Sequence, residues 1–249
     1  MQELKEYWDE AYSSSNTRVA YVSAEGEDVT ELEARATRNN FLFNDFITHC
    51  QQRPAPGMNK LFMNAQSCVE VGCGTGEFLV GLMSITGIAD GIGIDLSQSA
   101  IKHASLTYGN MVFSRSGGPG QEKYVKWHAG DMMSLDITNR ADVLIANQVI
   151  EHFRDPTPII RQLQEYAQYV IILTPYKEQI PNWDDEILDG SDNHLISVDE
   201  NTYSEFEVLE DMVFFSKEGW GVSRKGECPL QYAVLIKGTT PPLSWGTFR

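Results

Sequence analysis

Alternating glycines between carboxylates are the first residues in this chain whose spacing could do chemistry. Positions 69–76 read V-E-V-G-C-G-T-G, Glu77 follows at once, and the run G-I-G-I at 91–94 ends on Asp95. Where an apolar strand stops in such a turn and opens a helix, a ligand can lie against bare main chain. Side chains at Gly72, Gly74 or Gly76 would block that approach. The spacing departs from the dinucleotide fingerprint G-x-G-x-x-G, which seats a pyrophosphate on the helix N-terminus. Glu70 and Glu77 would repel a pyrophosphate and suit a ligand with ammonium and sulfonium charges beside an adenosine. Asp95 falls where the ribose-binding acid of a βαβ unit falls, able to accept from both hydroxyls. Proton chemistry points further along the chain, because His152 and His194 are the groups best able to take a proton near neutral pH.

The ligand that meets these demands is S-adenosylmethionine, with S-adenosylhomocysteine as its product. With two further segments added, residues 60–240 resemble the class I S-adenosylmethionine-dependent methyltransferases. The glycine turn and Asp95 match that family's first two motifs. Ala129, Gly130, Asp131 and Met132 match the segment after its third strand, and N-Q-V-I-E-H-F at 147–153 is similar to its motif near the sulfonium. The resemblance implies that Glu70, Gly72, Cys73, Gly74, Gly76, Asp95 and Leu96 hold the cofactor. It adds Asn147 and Gln148, with Asp131 on the exocyclic amine and Met132 over the adenine ring. It also implies a lid, since Trp8 and Tyr12 lie in a segment comparable to one that closes over the methionine end in related enzymes. Small-RNA 3′-end 2′-O-methyltransferases and some quinone-pathway O-methyltransferases resemble the same stretch but carry E-x-x-E-H, whose side chains hold a divalent metal. Here Gln148 replaces the first acid and removes one negative charge from such a site. The reading therefore assigns no metal; Gln148, Glu151, His152 and His194 are the residues that would hold one.

Positioning these groups takes alternating strands and helices. Strand-like runs lie near 67–72, 91–95, 124–128, 142–147 and 169–174, and helical runs near 76–86, 97–107 and 157–168. That order implies a parallel sheet with helices on both faces. Runs 206–216 and 231–237 have no crossover helix between them and should pair antiparallel. The expected fold is α/β, a doubly wound, mostly parallel seven-stranded Rossmann-like sheet with an antiparallel last strand and an N-terminal helical cap. Residues 1–60 form the cap, 61–240 the cofactor-binding domain with a substrate-side insertion at 175–198, and 241–249 a tail. Thr30 and Glu33 form a capping box for a helix that Pro54 and Pro56 must stop, placed on the sheet edge or over the cofactor. Ser197 and Glu200 form a second box, and residues 114–121 form a Gly- and Ser-rich loop. The insertion is acidic and too long for an ordinary connection, and its Tyr176 and Trp183 could stack on a flat or sugar-like acceptor.

A chain of 249 residues, 42% hydrophobic, is enough for one α/β core. The net charge of -16 argues against a phosphate-binding face, so nucleic acid is not an expected partner. No apolar run is long enough to span a bilayer, and the first residues lack a signal-peptide core. Cys50, Cys68, Cys73 and Cys228 show no paired metal spacing. A soluble cytoplasmic protein with free thiols is expected, and oligomeric state is left open. Methyl transfer is an in-line displacement, so the enzyme supplies alignment and, for a hydroxyl acceptor, a base, with His152 first and His194 second as candidates. The expected function is methyl transfer to an oxygen, with nitrogen ranked second, of a small metabolite such as a sugar, quinone precursor or secondary metabolite. The alternatives are a metal-dependent RNA 2′-O-methyltransferase and a non-catalytic S-adenosylmethionine-binding protein.

Overall fold

The computed structural model of the protein describes residues 2–13, 19–22, 28–52, 57–112, 122–134, 141–180, 194–216 and 230–239. Trp183, Cys228, the loop 114–121, the prolines that stop the cap helix, most of the 175–198 insertion and the tail 241–249 lie outside those residues.

The chain opens with helix α1 (Gln2–Ala11), a ribbon of β1 (Val19–Val22) and β2 (Asp28–Thr30), and the long α2 (Glu31–Gln52). Thr30 and Glu33 close the expected capping box: the Glu33 N–H donates to Thr30 Oγ1 at 3.3 Å and the Thr30 N–H donates to Glu33 Oε2 at 2.9 Å. Helix α3 (Gly57–Asn64) leads into β3 (Ser67–Val71), then α4 (Glu77–Ile85), β4 (Asp90–Asp95), α5 (Gln98–Tyr108) and the short β5 (Met111–Val112). Next come β6 (Lys123–Ala129), β7 (Ala141–Asn147), α6 (Thr157–Tyr166), β8 (Ala167–Pro175), β9 (Val208–Phe215) and β10 (Leu230–Lys237). The sheet order is β5-β6-β4-β3-β7-β8-β10-β9, with β10 antiparallel between β8 and β9. This is the expected seven-stranded arrangement, extended at one edge by β5, which pairs antiparallel with β6.

Strand pleating sends alternate residues of the central strands into two cores. Val143, Ile145, Ile171 and Leu173 face one side with α2, α3 and α4, while Leu144, Ala146, Val170 and Ile172 face the other with α6. Helix α2 therefore covers a sheet face, not an edge. Its Phe43 and Phe46 pack on Phe78, with ring centres 5.5 and 5.9 Å apart, and Phe46 also meets Phe214 at 6.0 Å. Each such buried ring contributes about 2–3 kcal/mol, so the second half of α2 is firmly placed.

Three local expectations change. The helix expected to reach residue 168 ends at Tyr166, and Ala167 already pairs with Ala141 in the sheet. The second capping box is shifted: Asp199, not Ser197, accepts from the Asn201 and Thr202 N–H groups and opens one helical turn over Glu200–Tyr203. The cap is also not purely helical, because β1 and β2 lie within it.

What matters for function is the register. Val71 pairs with Ile94 on one side and Ala146 on the other, and Asp95 pairs with Ala129. Gly72, Asp95, Gly130 and Asn147 consequently leave the sheet along one edge, the carboxyl ends of the strands, where ligands of such sheets bind.

Candidate active site

The turn after β3 is held by its own hydrogen bonds. Gly72, Gly74 and Gly76 have φ of 67°, 53° and 91°, the left-handed region that favours glycine. The Gly74 N–H donates to Asp95 Oδ2 at 2.8 Å, and the Ser97 N–H donates to Asp95 Oδ1 at 2.8 Å. Each oxygen keeps a lone pair for a further donor, such as a ribose hydroxyl. Burial lifts the Asp95 carboxyl to about 6; the two N–H donors and the Arg35 guanidinium work against the rise, and Asp9 adds to it. The Gly130 N–H donates to the Asp95 carbonyl at 2.9 Å, which keeps the Asp131–Met132 turn beside the same strand end.

Helix α1 lies over this edge. Its Asp9 Oδ1 accepts from Ser97 Oγ and from the Ser99 N–H, both at 3.0 Å, so the acid sits on the N-terminus of α5. A Cβ at Gly74 would come within 2.9 Å of the Tyr12 hydroxyl. Trp8 stands edge-on to His152, with ring centres 6.2 Å apart.

Past β7 the chain turns sharply, with Gln148 at a φ of 55° and its N–H on the Leu173 carbonyl at 2.9 Å. The one-turn helix Ile150–His152 then buries both Glu151 and His152. The Leu195 N–H donates to the Glu151 carbonyl at 2.8 Å, bringing His194 against His152 with ring centres 4.9 Å apart. His194 Nδ1 meets Glu178 Oε2 at 2.5 Å. Glu151 keeps both carboxylate oxygens buried and outside hydrogen-bond geometry. Burial pushes its carboxyl up to about 7; His194 and nearby main-chain N–H groups of Val149 and Glu151 favour its charge only in part. Ligand atoms of Glu151, His152 and His194 all lie within 4.8 Å of one another.

A family model described as a methyltransferase domain matches residues 30–207. The chain belongs to that family. With its glycine turn, acidic second-strand end and post-strand motif, it is an S-adenosylmethionine-dependent methyltransferase. The fold is shared with magnesium protoporphyrin IX methyltransferase (ChlM) of Synechocystis PCC 6803, at a TM-score of 0.58 and 11% identity over 95% of this chain and 98% of that one. A chain from the complex of the Haloferax volcanii Trm112 methyltransferase activator with a methyltransferase gives 0.57 at 13% identity, over 85% and 97%. The methyltransferase domain of a bacterial CtHen1 gives 0.51 at 16% identity, over 80% and 99%. At these identities the likeness is one of fold. No curated protein matches the methyltransferase in sequence.

The structure sorts the expected site residues of this methyltransferase. Gly72, Gly74, Asp95, Leu96, Asp131, Met132 and Asn147 gather at one edge, and the Asn147 side chain bonds Glu70. Asn147 Oδ1 is buried with no hydrogen-bond partner among the described residues. The crevice thus fits an adenosyl cofactor: an acid with lone pairs to spare, bare main chain at the turn, and a buried carbonyl oxygen. Packing also demands glycine in this turn, since a Cβ at Gly76 would strike the Trp127 ring and one at Gly72 the Val149 side chain, both at 2.5 Å. Cys73 turns its thiol toward Gly93, while its N–H donates to the Ile94 carbonyl at 3.0 Å and its carbonyl accepts from the Gly76 N–H at 2.9 Å.

The charge argument also needs correction. Glu70 is buried and accepts the Leu79 N–H at 3.1 Å, and burial with Glu77 nearby pushes its carboxyl well above the usual range. Glu77 is raised by burial too; it accepts from the Thr75 hydroxyl at 2.6 Å and sits among Asn39 and His103. The two acids brace α4 more than they present a negative wall.

Tyr176 is half-buried and packs on Tyr232, with ring centres 5.4 Å apart, and its hydroxyl meets Glu200 at 2.5 Å. The Gln148 amide donates to Gln231 Oε1 at 3.0 Å. Glu178, Asp9 and Arg35 were not singled out by sequence reasoning. None lies in a motif, and their partners are remote in the chain. Only the acidity of the insertion hinted at Glu178.

Proposed function

We propose that this methyltransferase moves a methyl group to an oxygen of a small metabolite, such as a sugar, quinone precursor or secondary metabolite, with nitrogen as the second choice. His152 carries the reading. A hydroxyl acceptor must lose its proton as the methyl arrives, so a buried imidazole at the end of β7 is the group an oxygen acceptor needs. His194 lies against it and is itself oriented by Glu178. Bound S-adenosylmethionine supplies an electrophilic methyl group on a sulfonium. Asp95 would hold its ribose, Asp131 and Met132 its adenine, and the main chain around Gly72 and Gly74 its methionine arm. Trp8 and Tyr12 would close over it from α1 and help to align the acceptor.

One observation favours a second reading. Glu151, His152 and His194 could ligate a divalent cation, and the two Glu151 oxygens are the buried atoms such an ion would satisfy. That reading brings RNA 2′-O-methylation with it. Against the RNA part of it, the net charge of -16 opposes a polyanion.

Turnover on an acceptor panel, with and without exhaustive chelation, tests the choice. The first reading expects S-adenosylhomocysteine release with hydroxylated small molecules, unchanged by the chelator. Loss of activity on chelation, restored by manganese or magnesium and extending to short RNAs, would establish the second. Tight cofactor binding with no turnover across the panel would overturn both in favour of a binding protein.

A further inference from the structure

We propose that Glu151 is the counter-ion for an ammonium group on the acceptor, so that the methylated hydroxyl belongs to a small amino alcohol such as an amino sugar. The inference rests on the oxygen-acceptor reading and names the class of that acceptor. Glu151 is 1% exposed, and neither of its carboxylate oxygens meets a donor among the described residues. A carboxylate held out of water and unbonded is costly, and a positive ligand is what offsets that cost most fully.

The groups around it leave one negative charge over. Glu151 and Glu178 both lie near His194, whose Nδ1 meets Glu178 Oε2 at 2.5 Å. One imidazolium can balance one of the two carboxylates. His152, the base of the proposed reaction, must be neutral to take a proton and balances neither. Lys177, beside Glu178 in the chain, is turned to Glu200 at 3.1 Å. The chain as a whole carries a net charge of -16, which draws cationic solutes toward the protein. Position then narrows the ligand. Ligand atoms of Glu151 and His152 lie within 4.8 Å of each other. Hydrogen bonds of about 2.8 Å to each place the hydroxyl and the ammonium of one molecule on neighbouring carbons. The ammonium brings three donors and a full charge to the two Glu151 oxygens, where a second hydroxyl would bring one donor and no charge. Trp8 and His194, both edge-on to His152, come from the two segments that would close over such an acceptor.

Glu151 could serve only to support the turn after β7, and the experiment separates the roles. Steady-state kinetics on the full chain, freed of metal by exhaustive chelation, compares glucosamine with glucose and 2-aminocyclohexanol with cyclohexane-1,2-diol at pH 7. Each pair differs in ammonium against hydroxyl. The amino member of at least one pair should show a kcat/KM about 30-fold the higher, the scale of a charged hydrogen bond. In Glu151→Gln, which keeps the shape and loses the charge, that ratio should fall below about three-fold, and Glu151→Asp should restore part of it. A supporting role alone would lower both members alike and leave the ratio standing. Thermal melts check that each variant is folded, and the wild-type ratio is a test in its own right. A ratio near one in wild type, or one that survives in Glu151→Gln, would overturn the proposal. So would loss of both activities on chelation, which gives the carboxylate to a divalent ion. Binding of S-adenosylhomocysteine without turnover of any hydroxylated acceptor would instead remove the oxygen-acceptor reading on which it rests.

Discussion

At the ends of β3 and β4 the acids are already bonded to protein: Asp95 holds two main-chain N–H groups, Glu70 one, and Glu77 the Thr75 hydroxyl. At the ends of β7 and β8, both Glu151 oxygens are buried outside hydrogen-bond geometry. There, Gln148 and Lys177 also hold left-handed φ values of 55° and 50°. Such conformations cost about 1–3 kcal/mol each in non-glycine residues, and they persist where the surroundings enforce them. The contrast separates two tasks. The first half is prearranged for one unchanging ligand, whereas the second keeps polar capacity in reserve for whatever reacts there.

The sharpest way to break this division is to disable one half and read the other. His152→Ala should lower turnover by about 100-fold or more, the scale of a positioned base, while S-adenosylhomocysteine affinity measured by calorimetry stays within about three-fold of wild type. A parallel collapse of binding would mean that the two halves are not separable.

Asp95→Ala is the converse. Losing a charged acceptor for two ribose hydroxyls should weaken S-adenosylhomocysteine by about 100-fold. The same carboxylate makes the cofactor half pH-dependent. Its value in the folded protein, about 6, lies above the ordinary 3.8. The stability it adds is therefore fully present below the ordinary value and is lost as pH rises through about 6. Binding runs the other way, because only the ionised carboxylate can accept from both hydroxyls. Affinity at pH 5 should be about ten-fold below that at pH 7.5 and level off above it; a flat profile would remove Asp95 from the ribose.

The smallest effect is expected at the lid. Asp9→Ala removes the link from α1 to the start of α5, and should weaken the cofactor by about five-fold, the worth of one helix cap, with faster dissociation seen in stopped-flow traces. An unchanged dissociation rate would make α1 a fixed wall.

The cofactor half was legible in the sequence because its function is carried by neighbours in the chain. A strand, an alternating glycine turn and an acid at the next strand end can be read from spacing alone. Even there, the packing of Trp127 from β6 against Gly76 could not be read from the spacing. The acceptor half is assembled across long separations: Glu151 meets His194, Gln148 meets Gln231, and Glu178 enters from a connection whose central part, with Trp183, lies outside the described residues. Arg35 and Asp9 escaped notice for the same reason, since a lone charge on a helix announces nothing until its partners are known. The ribbon β1–β2, the edge strand β5 and α3 were missed because short elements have too few residues to display a period.

The most direct test of the central claim is a calorimetric titration of the purified protein at pH 8 with S-adenosylhomocysteine and, separately, with a nicotinamide dinucleotide. The account predicts one-to-one saturation by the thioether nucleoside and no heat from the dinucleotide. Saturation by the dinucleotide, with no response to S-adenosylhomocysteine, would contradict it.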